Sequence, residues 1–365
     1  MKNIIKNIIC SLLFVSLIVG SLVVGSALIE PKGNSKEDGM KDYSAVGIIS
    51  EPKDTIDAVF VGDSESYRAI MPLKIWREHG ITGYVCSTPS QRLYYSLELL
   101  EKALSSQKPK YVFIETNSFF REFTVSDVLV NRAEQLVPFF RYHTRVKYLR
   151  FNHFSFDNLF SGSHYSYTVD NKGYRLSIKS KPGKTKGYMS YTNEVQSISK
   201  KNAEYIKRIK SFCENKGAEL VFLSIPSTQN YNYKKHNGIA KLAKDIGVEY
   251  IDMNLLKKEI PINWKTDTYD KGDHMNYFGA LKTTAYLGNY LAASGKFTDK
   301  KNDPNYQCWF DSVEKFDLEL AKALKKHDKR VRKETRKNKS DSESTTLAEA
   351  SVTSGKSNKQ QESDA

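Results

Sequence analysis

Two kinds of hydrophobic pattern stand out along this chain. The first is a single run, Ile8 to Ile29, which carries no charge and follows Lys2 and Lys6. It is long enough to cross a bilayer as one helix. Both of its faces are apolar, so it lacks the two-sided character of a helix packed on a soluble core. Its end, VVGSALIE, has small residues but no clear cleavage site, which favours an uncleaved anchor over a removed signal. Lys32, Lys36 and Lys41 beyond the run nearly balance the basic residues before it, so the Lys/Arg count barely orients the segment. A short basic head before an apolar run is the form of an export signal, which predicts a single-pass cell-membrane protein with its folded part outside the cytoplasm.

The second pattern is a series of short β-rich strings separated by helical stretches. AVFVG (58–62) precedes a helix over 65–79, YVC (84–86) a helix over 91–105, and YVFIE (111–115) closes a βαβαβ unit. The pattern resumes with a helix over 197–216, ELVFLSIP (219–226), a helix over 234–246 and VEYIDM (248–253). Continuous apolar strands alternating with helices predict a three-layer αβα fold around a five-stranded parallel sheet, with ligands at the carboxyl ends of the strands.

The predicted division is an anchor at 1–29, a linker at 30–52, an α/β domain at 53–117 and 196–295, an inserted cap or lid at 118–195, a C-terminal extension at 296–329 and a disordered basic tail at 330–365. The insert interleaves aromatics (Phe119, Phe120, Phe123, Phe139, Phe140, Tyr142, Tyr148, Phe151, Phe154, Phe156, Phe160, Tyr165, Tyr167) with Arg121, Arg141, Arg145, Lys147 and Arg150. Packing onto the sheet accounts for most such rings, and some are suited to lining a groove for sugars.

With 365 residues, 39% hydrophobic and 27% charged, the composition excludes a wholly disordered, collagen-like or disulfide-scaffold protein. The net charge is +14, and more than half of the surplus lies between Lys322 and Lys339. A basic tail suits nucleic acid, anionic lipid or an anionic wall polymer equally. The predicted location outside the cytoplasm removes nucleic acid from that set. Cys10 falls in the apolar run, and Cys86, Cys213 and Cys308 are an odd set with no metal-ligand spacing.

The chemistry concentrates where β1 ends. Gly62-Asp63-Ser64-Glu65-Ser66 turns from strand to helix, which displays the Ser64 hydroxyl at the sheet edge and aims its own N–H and the helix N-terminus at any oxyanion formed there. A serine needs a histidine base at the same edge, oriented by a carboxylate. Of seven histidines, His79, His236 and His327 fall on predicted helices and His143, His153 and His164 in the insert. Only His274, in Asp270-Lys271-Gly272-Asp273-His274-Met275-Asn276, follows the last strand. Asp270, Asp273 and His274 also admit a metal-site reading, but no second histidine stands at ligand spacing. No metal or cofactor is expected.

GDS after the first strand and DHMNYFGA near the domain's end make the chain similar to the SGNH (GDSL-like) hydrolase superfamily over about 50–295, apart from the insert. The resemblance implies a flavodoxin-like sheet, Ser64 as nucleophile, His274 as general base and Asp270 or Asp273 as its orienter. The family spacing puts the acid three residues ahead, where this chain has Lys271. Asp270 is preferred, because neighbouring side chains seldom turn toward each other. The resemblance also implies Asn117 as an oxyanion donor beside the Ser64 N–H; asparagine as a plain turn former is the alternative. The glycine expected after the second strand is missing from Ser87-Thr88-Pro89-Ser90-Gln91. Asp63, Gln91, Arg141 and His143 are the candidate substrate contacts.

The single anchor, early serine and late histidine resemble the anchored members that work beside membrane-bound O-acyltransferases in cell-surface polysaccharide acylation, and the D-alanine transfer protein of teichoic acid modification. These imply an esterase or O-acyltransferase, with O-acetyl the expected group, acting on a cell-envelope polysaccharide or teichoic-acid-like polymer. A membrane-bound O-acyltransferase is the expected partner. The alternative is a catalytically degenerate polysaccharide-binding or scaffold protein.

Overall fold

The computed structural model describes residues 1–148, 162 and 164–332. Its centre is a parallel sheet of β1 (Ala58–Gly62), β2 (Gly83–Ser87), β3 (Tyr111–Glu115), β4 (Glu219–Ser224) and β5 (Glu249–Asp252) in the order β2-β1-β3-β4-β5. The helices are α1 (Lys2–Ile29), α2 (Tyr43–Val46), α3 (Ser64–Ala69), α4 (Pro72–His79), α5 (Leu93–Ser106), α6 (Val125–Leu136), α7 (Pro138–Tyr142), α8 (Lys200–Asn215), α9 (Tyr233–Ile246), α10 (Tyr277–Ala293) and α11 (307–332).

The alternation of side chains along each strand sorts the core into two layers. Val59, Val61, Val112, Ile114, Leu220 and Phe222 face α5, α8 and α9. Phe60, Phe113, Val221 and Leu223 face α3, α4 and α10. This is the three-layer αβα architecture, and it explains why the strands read as unbroken apolar strings: both faces are covered. The helix expected over 65–79 is two helices, because Pro72 supplies the first turn of α4 and its ring disfavours a helical Met71.

α1 is long and apolar enough to span a membrane, and its most apolar stretch, of mean hydropathy 2.6, has no buried residue. The insert splits into two parts. Residues 124–148 form α6, α7 and a short 3-10 turn beside the end of α1. Residues 164–199 run as an irregular strap around the domain rather than as a lid standing off it. Along its course Val85 N donates to Lys172 O, Arg175 N to Tyr67 O, Tyr277 N to Ser177 O and Gln196 N to Lys234 O. Among the described rings of the insert, Phe119 packs against Phe222 and Phe123 against Tyr94 and Tyr205, while Phe140, Tyr165 and Tyr167 are exposed. Phe151, Phe154, Phe156, Phe160, Arg150 and His153 lie outside the described residues, as does the tail from 333.

The C-terminal extension completes the core. Trp309 is fully buried against Trp76, and Phe316 meets Tyr174 of the strap. The buried Lys172–Glu51 ion pair (2.9 Å) lies beside Trp309 and joins linker, strap and α11. The predicted boundary at 329/330 therefore falls inside a helix.

Candidate active site

The sheet order reverses direction between β1 and β3, and in open parallel sheets the crevice at that point, outside the carboxyl ends, is where ligands bind. Ser64 leaves β1 there as the first residue of α3. Asp63 caps this helix, its Oδ1 accepting from Glu65 N at 2.9 Å. No Cβ fits at Gly62, where one would lie 2.4 Å from the Glu115 side chain. The turn is therefore closed by glycine and pinned by aspartate, leaving serine at the rim.

His274 reaches Ser64 from a tight loop between β5 and α10. Tyr269 N donates to His274 O (2.8 Å) and Gly272 N to Thr268 Oγ1 (2.6 Å). Lys271 and Gly272 both have positive φ (69° and 94°), and a Cβ on Gly272 would lie 2.1 Å from Thr228 Oγ1, so only glycine passes there. The loop is held from both sides: Lys181 N donates to Thr268 O and Lys271 N to Lys181 O from the strap, while Thr228 N donates to Gly272 O from the β4–α9 connection.

Within this frame His274 Nε2 lies 2.7 Å from Ser64 Oγ, and His274 Nδ1 lies 2.7 Å from Asp270 Oδ2. A carboxylate accepts only, so Nδ1 carries the proton and Nε2 is the acceptor facing the serine hydroxyl. Asp270 Oδ1 also accepts from His274 N at 2.8 Å, so the aspartate four residues ahead curls back over the turn. Asp273 stands farther off, 3.5 Å from Nδ1, and accepts a hydrogen bond from Asn230 Nδ2.

The electrostatics follow the pairing. Burial pushes the Asp270 carboxyl up, but two hydrogen bonds and the charge of His274 outweigh it and hold it below its ordinary range. Burial pushes His274 down, but the Asp270 hydrogen bond and the charges of Asp273 and Asp270 raise it above its ordinary 6.5. Asp270, Asp273 and His274 offer three possible ligand atoms within 4.8 Å of one another, and both ring nitrogens of His274 already have partners in Asp270 and Ser64.

A second acidic group lies beneath the serine. Asp63 Oδ2 receives Nε and Nη2 of Arg121 and the Asn117 side-chain amide. Glu115 accepts from Asn117 N and Tyr231 OH, both at 2.6 Å, and Glu65 accepts from Asn230 Nδ2 at 2.6 Å. Burial, then the charge of Asp63, pushes Glu115 up to about 8. Burial and the charges of Glu115 and Asp63 raise Glu65 well above its ordinary range. Arg121 is the cation paired with this group, and Lys235 stands nearby, its pKa lowered by burial.

The structure thus brings Ser64, His274 and Asp270 together, with Asp273 adjacent. The remaining predicted residues have other partners. Asn117 directs its amide to Asp63, at 3.2 Å. Asp63 is buried in structural bonds. Gln91 is buried, its Oε1 accepting from Thr88 N and its Nε2 donating to Ser96 Oγ. Arg141 is buried against Glu98 (2.9 Å) and Glu134 in the wall beside α1, and His143 Nδ1 bonds Phe140 O in the adjoining turn. Gln91, Arg141 and His143 therefore make no contact with the triad. Glu65, Glu115, Arg121, Asn230 and Ser87 escaped sequence reasoning. Ser87 pairs in register with Gly62 and keeps a buried Oγ with no partner. Glu65 and Glu115 had one legible signal: each is an acid beside or inside a strand end that reads as buried.

No protein-family model and no curated protein sequence matches the chain. Among solved structures it is similar to a GDSL-like lipase from Bacteroides thetaiotaomicron (10% identity over 65% of this chain and 88% of that one, TM-score 0.32). It is also similar to a Bacteroides fragilis protein described as an acylhydrolase (11%, 68% and 94%, TM-score 0.34). A third, from Streptococcus pneumonia and described as a platelet activating factor, shares 14% identity over 68% of this chain and 90% of that one (TM-score 0.36). At these identities and scores, any catalytic reading stands on the side-chain geometry.

Proposed function

We propose that this chain is a serine esterase or O-acyltransferase of the SGNH type, working through an acyl-serine. The observation that carries the reading is the continuous relay from Ser64 Oγ through both ring nitrogens of His274 to Asp270. In the first half-reaction Ser64 Oγ bonds to an ester carbonyl carbon while its proton passes to His274 Nε2. Asp270 stabilises the imidazolium. The oxyanion falls to the N–H of Ser64, which a helix leaves unpaired at its first residue. The carbon–oxygen bond to the leaving alcohol breaks as Nε2–H returns the proton to that oxygen. In the second half, water or a sugar hydroxyl gives its proton to Nε2 as its oxygen bonds to the acyl carbon, and the bond from that carbon to Ser64 Oγ then breaks as Nε2–H returns the proton to Oγ.

The finer reading places this chemistry at the outer face of a cell membrane, on a cell-envelope polysaccharide or teichoic-acid-like polymer, with acetyl as the transferred group and a membrane-bound O-acyltransferase as partner. Its support is the apolar length of α1 and the basic surplus of the chain. The formed relay favours an enzyme over a degenerate binding protein. The test is intact-mass analysis of the full chain after incubation with an aryl acetate. An acetyl adduct that is absent in Ser64→Ala supports the reading, and its lifetime with and without glycan separates transfer from hydrolysis. No adduct, together with no labelling by a fluorophosphonate, overturns it.

A further inference from the structure

Helix α6 has no buried residue, although Thr124 and Asp127 form a complete capping box at its start. Val128 is turned toward the core. Val125, Leu129 and Leu136 are turned away from it and are 71%, 64% and 82% exposed. At 3.6 residues per turn these three positions fall within an arc of about 40°, so they form one apolar stripe, with Val130, 58% exposed, about 100° further round the helix. Arg132 lies along the same stripe, its guanidinium donating to Gln135 Oε1 at 2.8 Å and standing 3.8 Å from Glu101 of α5, and Phe140 in α7 and Val146 in the turn beyond it are also exposed.

The position of this hairpin is set by α1. The Phe139 ring packs on Gly25, where a Cβ would lie 3.0 Å from it. Phe139 N donates to Ser26 Oγ at 3.0 Å, and the Arg145 guanidinium donates to Ile29 O. The hairpin is thus fixed to the last turn of α1, at the level where that helix leaves the bilayer it is read to span. An exposed apolar stripe held at that level suits a helix lying in the membrane surface.

We propose that α6 lies in the surface of the bilayer crossed by α1, with Val125, Leu129 and Leu136 among the upper acyl chains. The inference rests on the reading of α1 as an anchor. Its consequence is that the catalytic domain does not swing freely on its linker: two elements fix its attitude to the membrane.

The test uses the full chain in phosphatidylcholine vesicles whose acyl chains are brominated, with tryptophan emission as the readout. Of the three tryptophans Trp76 and Trp309 are fully buried and Trp264 is partly buried, so the wild-type emission in the same vesicles is subtracted as the background. Leu129→Trp and Leu136→Trp each add emission that falls about twofold in brominated vesicles, as expected for a side chain at the headgroup–acyl boundary. Lys207→Trp, on the exposed face of α8, adds emission that does not fall. Val15→Trp, inside α1, reports on the anchor separately. If Val15→Trp is quenched while Leu129→Trp and Leu136→Trp behave like Lys207→Trp, the surface-helix proposal is overturned and the anchor stands. If Val15→Trp is unquenched as well, both fail. The probed α6 positions are more than half exposed, so these substitutions leave the core untouched.

Discussion

Two histidine–aspartate pairs stand at the carboxyl edge of the same sheet. His274 Nδ1 meets Asp270 Oδ2 at 2.7 Å, and His236 Nδ1 meets Asp252 Oδ2 at the same distance. Both rings are partly buried. They differ in what the second nitrogen meets. His274 Nε2 finds the Ser64 hydroxyl, whereas the His236 ring packs between Tyr233 and Tyr250, with centroids 5.2 and 5.6 Å away. An oriented imidazole is therefore not in itself a catalytic group. It becomes one where the fold delivers a nucleophile to its free face, and here that delivery depends on the β1–α3 turn and the clamped loop before α10.

The sharpest way to break this contrast is to remove the members of the relay. Ser64→Ala and His274→Ala should each lower acyl-ester turnover about a million-fold, the scale seen when a nucleophile or base is deleted from such a relay. Equal losses in the two variants and in the double variant, measured with an aryl acetate, would show that they act as a unit. Asp270→Asn should cost about ten-thousand-fold, because an amide in place of the acceptor no longer fixes the tautomer. His236→Ala should leave turnover within about twofold and show its effect in thermal stability, since it loses a hydrogen bond worth about 1 kcal/mol. A large loss of turnover in His236→Ala with a normal melting temperature would erase the distinction between the pairs.

The pH profile sharpens the comparison further. The proposed reaction needs neutral His274, and its pKa is raised, so turnover should fall with acid through a midpoint above 6.5. Asp273→Asn removes one of the charges that raise it and should move that midpoint to lower pH. Stability should show the opposite dependence through Glu115. Its folded pKa is raised, so the folded chain holds a proton that the unfolded chain has released. That contribution is fully present below the unfolded value of 4.5 and is lost as pH rises toward about 8. Melting temperature followed across this range should decline in the wild type and decline less in Glu115→Gln.

Much of the fold was legible because covered parallel strands leave an unmistakable trace: AVFVG, YVFI and LVFL are apolar throughout, and helices flank each of them. Ser64 was legible for the same reason, since a small polar residue directly after such a strand falls at the rim. Asp270 was harder. Its offset from His274 depends on Lys271 and Gly272 adopting positive φ, which lengthens the turn by one residue. The strap was not legible as such: residues 164–199 have no period, and what organises them is backbone hydrogen bonding to Thr268, Tyr67 and Val85. Arg141 and Gln91 looked free in one dimension and are buried against Glu98 and Thr88 in three.

Local pattern determined the strands, the span-length helix and the turn that displays Ser64, because each is set by residues within a few positions of one another. Tertiary structure decided that His274 meets this serine at 2.7 Å across 210 positions, that Asp270 is the nearer carboxylate to its Nδ1, and that the His236 ring packs between two tyrosines instead. Those outcomes depend on the path of loops whose geometry is fixed by backbone bonds to distant segments, and such bonds use groups that every residue carries and so leave no mark in the order of side chains.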